Sequence, residues 1–266
     1  MRRPSVAGSR EWGRGTPLFL AAALWAACGS TPAGPAAGSP DPDALGILFV
    51  GNSLTFFHDM PSLLERMLRD AGADPDVRSV AFPNFGLEDH WLEGSARALI
   101  AGGGWDVVIL QQGPSATEGR PSLLDYSQRF ATEIRAAGGV PALYMVWPAA
   151  ARSSDFPGVE QSYAMAADLV DGYLFPAGSA WLAAWESDPD LPLYGPDGFH
   201  PSALGSYLAA LTMLGQLADL DLSALPDAIP NGPGTPLDAS LQDLLADAAE
   251  AANAEWGRVA VPSNPE

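Results

Sequence analysis

The sequence predicts an α/β fold in which a five-stranded parallel sheet lies between two layers of helices. Two observations support this fold. From residue 45 onwards, five short apolar runs of strand length alternate with longer segments in which apolar residues recur at helical spacing. The short runs are apolar almost throughout, as is typical of parallel strands that helices cover on both faces. The alternation implies right-handed crossovers, and a chain of 266 residues with 47% hydrophobic residues is long enough for one substantial core.

The first strand is predicted at 46–50 and leads into the segment Gly51-Asn52-Ser53-Leu54-Thr55. A buried parallel strand that ends here brings the Ser53 hydroxyl to the carboxyl edge of the sheet, where open α/β sheets bind their ligands. A single serine after a strand more often caps a turn than performs chemistry. The functional interpretation of Ser53 therefore depends on residues far downstream.

The other elements follow in order, each bounded by glycine, proline or a capping residue. Ser62 and Glu65 behind Pro61 form a capping box, which predicts the first long helix. Further strands are predicted at 77–82, 105–110, 140–146 and 172–175, and helices at 87–101, 121–137, 159–169 and 180–186. A helix with Pro201 at its first position is predicted after His200. A Pro/Gly-rich connection at 220–235 and a C-terminal helix at 236–258 complete the chain.

The N-terminal residues predict an export signal with a lipid anchor. Arginines precede an apolar stretch at 17–27 that is too short to span a bilayer, so residues 1–27 are predicted to be a signal peptide. The only cysteine, Cys28, follows directly and resembles the lipidated cysteine of a bacterial lipobox; an ordinary secretory peptide with an incidental cysteine is the alternative. Residues 28–43 are predicted to contain this anchor and a flexible linker. We expect a protein held on a bacterial membrane by its N-terminal lipid alone, facing the periplasm or the outside.

The composition excludes several classes of function. Thirteen basic residues stand against 32 acidic ones, for a formal charge of -19, so a nucleic acid is not an expected partner. Every basic residue is arginine, which excludes Schiff-base, pyridoxal and P-loop chemistry because each needs a lysine. With its single cysteine in the predicted anchor, the body of the protein has no disulfide and no thiol nucleophile. No cofactor is expected.

Two motifs at opposite ends of the predicted domain carry a family resemblance. Gly51-Asn52-Ser53-Leu54-Thr55 near the start and Asp197-x-x-His200 near the end resemble the SGNH (GDSL-like) hydrolase superfamily, over about residues 44–219. The resemblance implies a flavodoxin-like three-layer α/β/α sandwich. It also implies that Ser53 is the nucleophile, that His200 takes its proton and that Asp197 orients the imidazole. The spacing agrees with these roles, because a carboxylate three residues before a histidine can reach one ring nitrogen while the other faces the serine.

The resemblance also implies an oxyanion hole. In the family's second motif a glycine N–H joins the nucleophile's own N–H as a donor, which corresponds here to Gly86 and Ser53; the nearby Asn84 could hold that place instead. The family's usual side-chain donor is an asparagine, but here the third strand is followed by Gln111 and Gln112. A glutamine offers the same amide donor on a stem one methylene longer, and we favour Gln111 over Gln112.

The function implied by the resemblance is that of an exported serine esterase acting on an acyl ester, such as an acetyl ester on a carbohydrate. A metal-dependent hydrolase is one alternative, but it would have to use His58, His90 and His200, none of which occurs in a His-x-His or His-Glu-x-x-His arrangement. A lipid-anchored binding protein on the same fold is the other, and it would not need the serine, the histidine and the aspartate together. His90 and Trp91 are interpreted as partly exposed helix residues near the pocket, and His58 as a solvent-side residue.

Overall fold

A computed structural model describes residues 40–41, 43–218, 222, 228–229 and 235–257 of the chain. The predicted signal peptide, Cys28 and residues 28–39 of the predicted linker lie outside the described residues, as does most of the predicted connection. Among the residues that the structure describes, no helix is long and apolar enough to cross a membrane.

Five parallel strands form the central sheet. They are β1 (Leu45–Gly51), β2 (Pro75–Ala81), β3 (Val107–Leu110), β4 (Val140–Tyr144) and β5 (Tyr173–Phe175). Their order is β2-β1-β3-β4-β5, so β1 and β3 lie at the centre with almost every residue buried, which explains why these two runs are continuously apolar. The strand order changes direction between β1 and β3. The carboxyl ends of these strands therefore mark the switch point where such sheets bind ligands.

Helices cover both faces of this sheet. They are α1 (Ser53–Phe56), α2 (Met60–Asp70), α3 (Leu87–Glu93), α4 (Ser95–Ala101), α5 (Arg120–Ala136), α6 (Phe156–Val170), α7 (Ala177–Ser187), α8 (Ala203–Leu217) and α9 (Ala239–Trp256). Short 3-10 segments lie at Phe57–Asp59 and Ala150–Asp155, and Ala228–Ile229 (β6) pairs with Thr235–Pro236 (β7). α8 packs against α2, α7 and α9, whereas α5 packs against α3, α4 and α6. The predicted three-layer α/β/α sandwich with five parallel strands is confirmed.

Some local predictions are wrong. The helix predicted at 87–101 is two helices, because Gly94 between them adopts a φ of 92°, which ends α3 with a left-handed residue. The predicted capping box does not form, because α2 begins before Ser62. The Ser62 hydroxyl donates instead to Asp59 Oδ1 at 2.9 Å, and Glu65 pairs with Arg69 at 2.6 Å. β3 and β4 are each two residues shorter than predicted.

The sequence predicted Pro201 as the first residue of a helix, and the structure shows that it is not. It pairs with Tyr194 in an isolated antiparallel bridge, and α8 begins only at Ala203. Ser202 is the residue that caps α8, since its Oγ accepts the N–H of Gly205 at 3.1 Å. The chain before α8 therefore closes into a loop, 194–201, whose two ends are bonded to each other.

Candidate active site

Ser53 lies where β1 passes into α1, in a tight segment that we call the Ser53 turn, Gly51–Thr55. Asn52 caps α1, because its Oδ1 accepts the N–H of Leu54 at 3.1 Å. As the first residue of α1, Ser53 has no partner for its N–H within the helix, and no described residue outside it accepts that N–H. The serine is 8% exposed. The turn thus presents a hydroxyl and an unused N–H at the switch point of the sheet.

The structure brings Ser53, His200 and Asp197 into one chain of hydrogen bonds. The Ser53 hydroxyl lies 2.9 Å from His200 Nε2, and His200 Nδ1 lies 2.5 Å from Asp197 Oδ2. The hydrogen bond to His200, with those from the Phe199 and His200 N–H groups, lowers the pKa of Asp197 to about 2. An ionised carboxylate only accepts, so the Nδ1 nitrogen carries the proton. His200 Nε2 is then free to accept the proton of Ser53.

Backbone and aromatic contacts hold the 194–201 loop against the sheet. The Gly195 N–H donates to the His200 carbonyl at 2.7 Å, and the Ala150 N–H donates to the Gly198 carbonyl at 2.8 Å. The indole of Trp147 donates to the Phe199 carbonyl at 3.1 Å, and its ring is fully buried. The position of the histidine is therefore set by the core, although Asp197 itself is exposed.

Phe57 is a contact of His200 that the sequence did not single out for this role. Its ring lies parallel to the imidazole, with ring centroids 4.0 Å apart and an interplanar angle of 10°. A ring stacked in this way limits rotation of the imidazole about its own side chain. The aromatic face also favours a positive charge on the histidine. Nothing in the sequence near Phe57 distinguishes it from Phe56 beside it.

A cleft of about 370 Å³ opens at Ser53. Asn84, Gln112 and Ser115 supply polar groups to its lining, and Phe85 and Phe199 supply aromatic surface. A larger cavity, about 630 Å³, contacts His200 and Asp197 but not Ser53. Of the two, the smaller cleft is the one in which a reacting carbonyl has to lie, because Ser53 lines it.

Gln111 does not occupy the place that the sequence predicted for it. The side chain is fully buried and does not line the cleft. Its Oε1 accepts the Asn52 N–H and the Thr55 hydroxyl, each at 2.8 Å, and its Nε2 donates to the Gln112 carbonyl. Gln111 is therefore a clamp on the Ser53 turn, and the prediction that it is the favoured oxyanion donor is corrected.

The other two predicted donors are also bonded within the protein. Gln112 lines the cleft, but its Nε2 donates to Ser115 Oγ at 2.9 Å and to the Gly119 carbonyl at 3.1 Å. The Gly86 N–H donates to the Asp89 carboxylate at 2.8 Å, a bond that closes the first turn of α3. Among the described residues, the Ser53 N–H has no partner, and neither has the N–H of Asn84, the alternative to Gly86.

The remaining histidines have structural positions. His90 is fully buried, which corrects the expectation of partial exposure, and its Nε2 donates to the Gly51 carbonyl at 2.7 Å. Burial lowers the pKa of His90, and its Nδ1 has no partner among the described residues. His58 is exposed, as predicted, while Trp91 packs edge-on against Phe130 outside the cleft. Within the described part of the chain, no group of three or more His, Cys, Asp or Glu side chains could hold a metal ion.

Solved structures with a similar fold are known. The chain is similar to a proposed SGNH hydrolase from Slackia heliotrinireducens, with 26% identity and a TM-score of 0.57 over 65% of this chain and 98% of that one. A DUF4886 family protein from Bacteroides uniformis is 18% identical, with a TM-score of 0.65 over 84% of this chain and all of its own. An acetyl xylan esterase is 16% identical, with a TM-score of 0.52 over 64% of this chain and 98% of its own.

The fold of the chain is that of the SGNH hydrolase superfamily, and the resemblance predicted from the sequence is confirmed. No protein-family profile matches the chain, and no curated protein matches it significantly. At the level of the superfamily, the similarity to the SGNH hydrolase from Slackia heliotrinireducens supports a hydrolase.

Proposed function

We propose that this protein is a serine esterase in which Ser53 attacks the carbonyl carbon of an acyl ester. The observation that supports this most directly is the continuous chain of hydrogen bonds from Ser53 Oγ through both ring nitrogens of His200 to Asp197. The first step forms a bond between Ser53 Oγ and the carbonyl carbon while His200 Nε2 takes the hydroxyl proton. The resulting imidazolium is stabilised by the Asp197 carboxylate and by the stacked ring of Phe57.

Collapse of the tetrahedral intermediate releases the alcohol. The bond between the carbonyl carbon and the alcohol oxygen breaks, and His200 gives its proton to that oxygen, which leaves an acyl group on Ser53. Water then attacks the acyl-enzyme, with His200 again taking and returning a proton. The acid is released and the serine restored. In both halves of the reaction negative charge develops on the carbonyl oxygen, and the unpartnered N–H of Ser53 is placed to bind it.

The proposed substrate is an uncharged ester with a short acyl group, such as an acetyl ester on a carbohydrate. Among the described residues, no arginine lines the cleft at Ser53, so nothing there would offset the charge of an anionic ester. The side-chain oxygens of Asn84, Gln112 and Ser115 keep lone pairs that can accept hydrogen bonds from the hydroxyls of a polyol. The fold likeness to an acetyl xylan esterase agrees with this choice.

The test is hydrolysis of p-nitrophenyl acetate by purified residues 29–266, with Ser53→Ala as the matched inactive variant and with and without EDTA. We expect turnover that EDTA does not change and that the substitution reduces by about 10³-fold or more. Activity that EDTA abolishes and Ser53→Ala keeps would instead support a metal-dependent hydrolase. An intact fold that turns over neither this ester nor acetylated xylo-oligosaccharides would favour the binding protein.

We further propose that the protein is exported and tethered by a lipid on Cys28. The support is the sequence alone: an arginine-led apolar segment, a cysteine directly after it and a linker of small residues. Expression of the full chain in a bacterial host tests it, with fractionation of membranes. Cys28→Ser should move the protein to the soluble fraction, and unchanged partitioning contradicts the lipid.

A further inference from the structure

An oxyanion hole that lowers the barrier appreciably needs more than one preorganised donor. The Ser53 N–H supplies one. The amide groups of Asn52, Gln111 and Gln112 surround the same turn, but the first donates to the Phe85 carbonyl at 2.9 Å and the other two are bonded as described above. Gln112 uses both of its amide hydrogens in these bonds. Asn52 and Gln111 each use one, and the bonds that they make hold their side chains against the turn.

Asn84 is different from these amides. It lines the cleft with Ser53, it is exposed, and neither its carboxamide nor its backbone N–H has a partner among the described residues. Its φ of 62° is a left-handed conformation that asparagine tolerates better than most residues. The loop is fixed on both sides of Asn84, because the Phe82 N–H donates to the Gly51 carbonyl at 3.2 Å and the Phe85 carbonyl accepts from Asn52. Asn84 is therefore held in an unusual backbone conformation, one residue from a direct hydrogen bond to the Ser53 turn.

We propose that the Asn84 carboxamide is the second oxyanion donor, acting together with the Ser53 N–H. This inference rests on the proposed esterase function. As Ser53 Oγ bonds to the carbonyl carbon, the carbonyl π electrons move onto the oxygen, and the Asn84 Nδ2–H group donates to that oxygen. The bond strengthens as the charge develops, so the group acts mainly on kcat. Asn84 thereby takes the role for which the sequence favoured Gln111.

Three substitutions separate the amide from the backbone conformation. Asn84→Ala removes the carboxamide, Asn84→Gly removes it while favouring a positive φ, and Asn84→Asp keeps the shape but has no donor. With p-nitrophenyl acetate we expect each to lower kcat by about 10²–10³-fold with little change in KM. Gln161→Ala, which removes an exposed carboxamide on α6, is the matched control and should leave kcat unchanged.

Labelling of Ser53 by a fluorophosphonate gives a second readout, since its phosphoryl oxygen must occupy the same hole. The labelling rate should fall in the Ala and Gly variants while their melting temperatures stay close to that of the wild type. If Asn84→Gly keeps kcat, the backbone conformation and not the amide matters, and the proposal is overturned. If all three variants keep kcat, it is overturned in favour of a backbone donor. If the wild type itself neither turns over esters nor is labelled at Ser53, the proposed esterase function fails, and this inference fails with it.

Discussion

The clamp that Gln111 places on the Ser53 turn can be tested by replacing it with methionine. Methionine has a similar length and volume, so Gln111→Met removes the amide without opening a large cavity. It leaves the Asn52 N–H and the Thr55 hydroxyl without their acceptor, and these residues are 7% and 0% exposed. The Gln112 carbonyl loses one donor but keeps the hydroxyl of Tyr163 at 2.8 Å. Two buried donors are therefore left unpaired.

An unpaired buried donor costs about 1–3 kcal/mol, so the expected loss in the free energy of unfolding is about 3 kcal/mol. For a domain of this size that lowers the melting temperature by about 6–12 °C. Thr55→Val removes one of the two bonds and leaves Asn52 satisfied, so its expected cost is about 1 kcal/mol. Because the turn also positions Ser53, we expect kcat of Gln111→Met to fall even at temperatures where the variant is fully folded.

Equilibrium urea unfolding followed by far-UV circular dichroism measures the free energy of unfolding, and p-nitrophenyl acetate turnover measures kcat. The double variant with Thr55→Val should cost less than the sum of the two single ones, because both remove the same bond. Gln161→Met, at an exposed carboxamide, is the control and should change stability by less than about 0.5 kcal/mol. A Gln111→Met protein as stable as this control and as active as the wild type would refute the clamp.

Three further predictions follow from the same geometry. Gly51→Ala would place a methyl group within 2.5 Å of Gln111 Oε1 and closer still to Thr55 Oγ1, so we expect loss of activity and a clearly lower melting temperature in a thermal scan. Asp197→Asn should lower kcat by about 10³–10⁴-fold at neutral pH in the ester assay, because an amide can also hold the wrong tautomer of His200. Because the pKa of Asp197 is lowered from 3.8 to about 2, its ionised form stabilises the fold above about pH 4, and this contribution is lost as the pH falls towards 2. Unfolding measured across that range should show a shallower loss of stability for Asp197→Asn than for the wild type; parallel curves would contradict the assigned shift.

The fold could be predicted because its signals are repeated along the chain. Five apolar runs and the helical segments between them all favour one architecture, so an error at a single boundary leaves the fold unchanged. The sequence does not predict the break at Gly94, because glycine inside a helical pattern is tolerated and only the neighbouring packing decides whether it takes a positive φ. The sequence predicts the wrong start for α8, because Pro201 suits the first position of a helix but pairs with Tyr194 instead.

The sequence predicts the triad of the candidate site but not the roles of the amide side chains around it. Ser53, Asp197 and His200 could be chosen from the sequence because their spacing in a family motif is informative, and the structure brings them together. The roles of the amide side chains of Gln111 and Gln112 could not be assigned from motif spacing. Gln111 and Gln112 are neighbours that directly follow β3, and only one of their side chains lines the cleft. Which one does so depends on how β3 is paired with β1, through the bond from the Gln111 N–H to the Val50 carbonyl at 2.8 Å.

The Ser53 turn is held by side chains from three different parts of the chain: Gln111 after β3, His90 on α3 and Asn52 within the turn itself. An amide or imidazole that holds the backbone in this way uses the hydrogen-bonding groups that could otherwise serve a substrate. A glutamine after β3 therefore adds two acceptor bonds to the turn and removes a donor from the cleft. The barrier is lowered by hydrogen-bond donors that are in place and unpaired before the substrate binds. The donors that stay unpaired therefore determine where negative charge can develop on the carbonyl oxygen. We assign this role to two unpaired donors among the described residues that line the cleft, the serine N–H and the amide of Asn84. The Asn84 variants should therefore affect turnover, whereas the Gln111 variant affects folding as well.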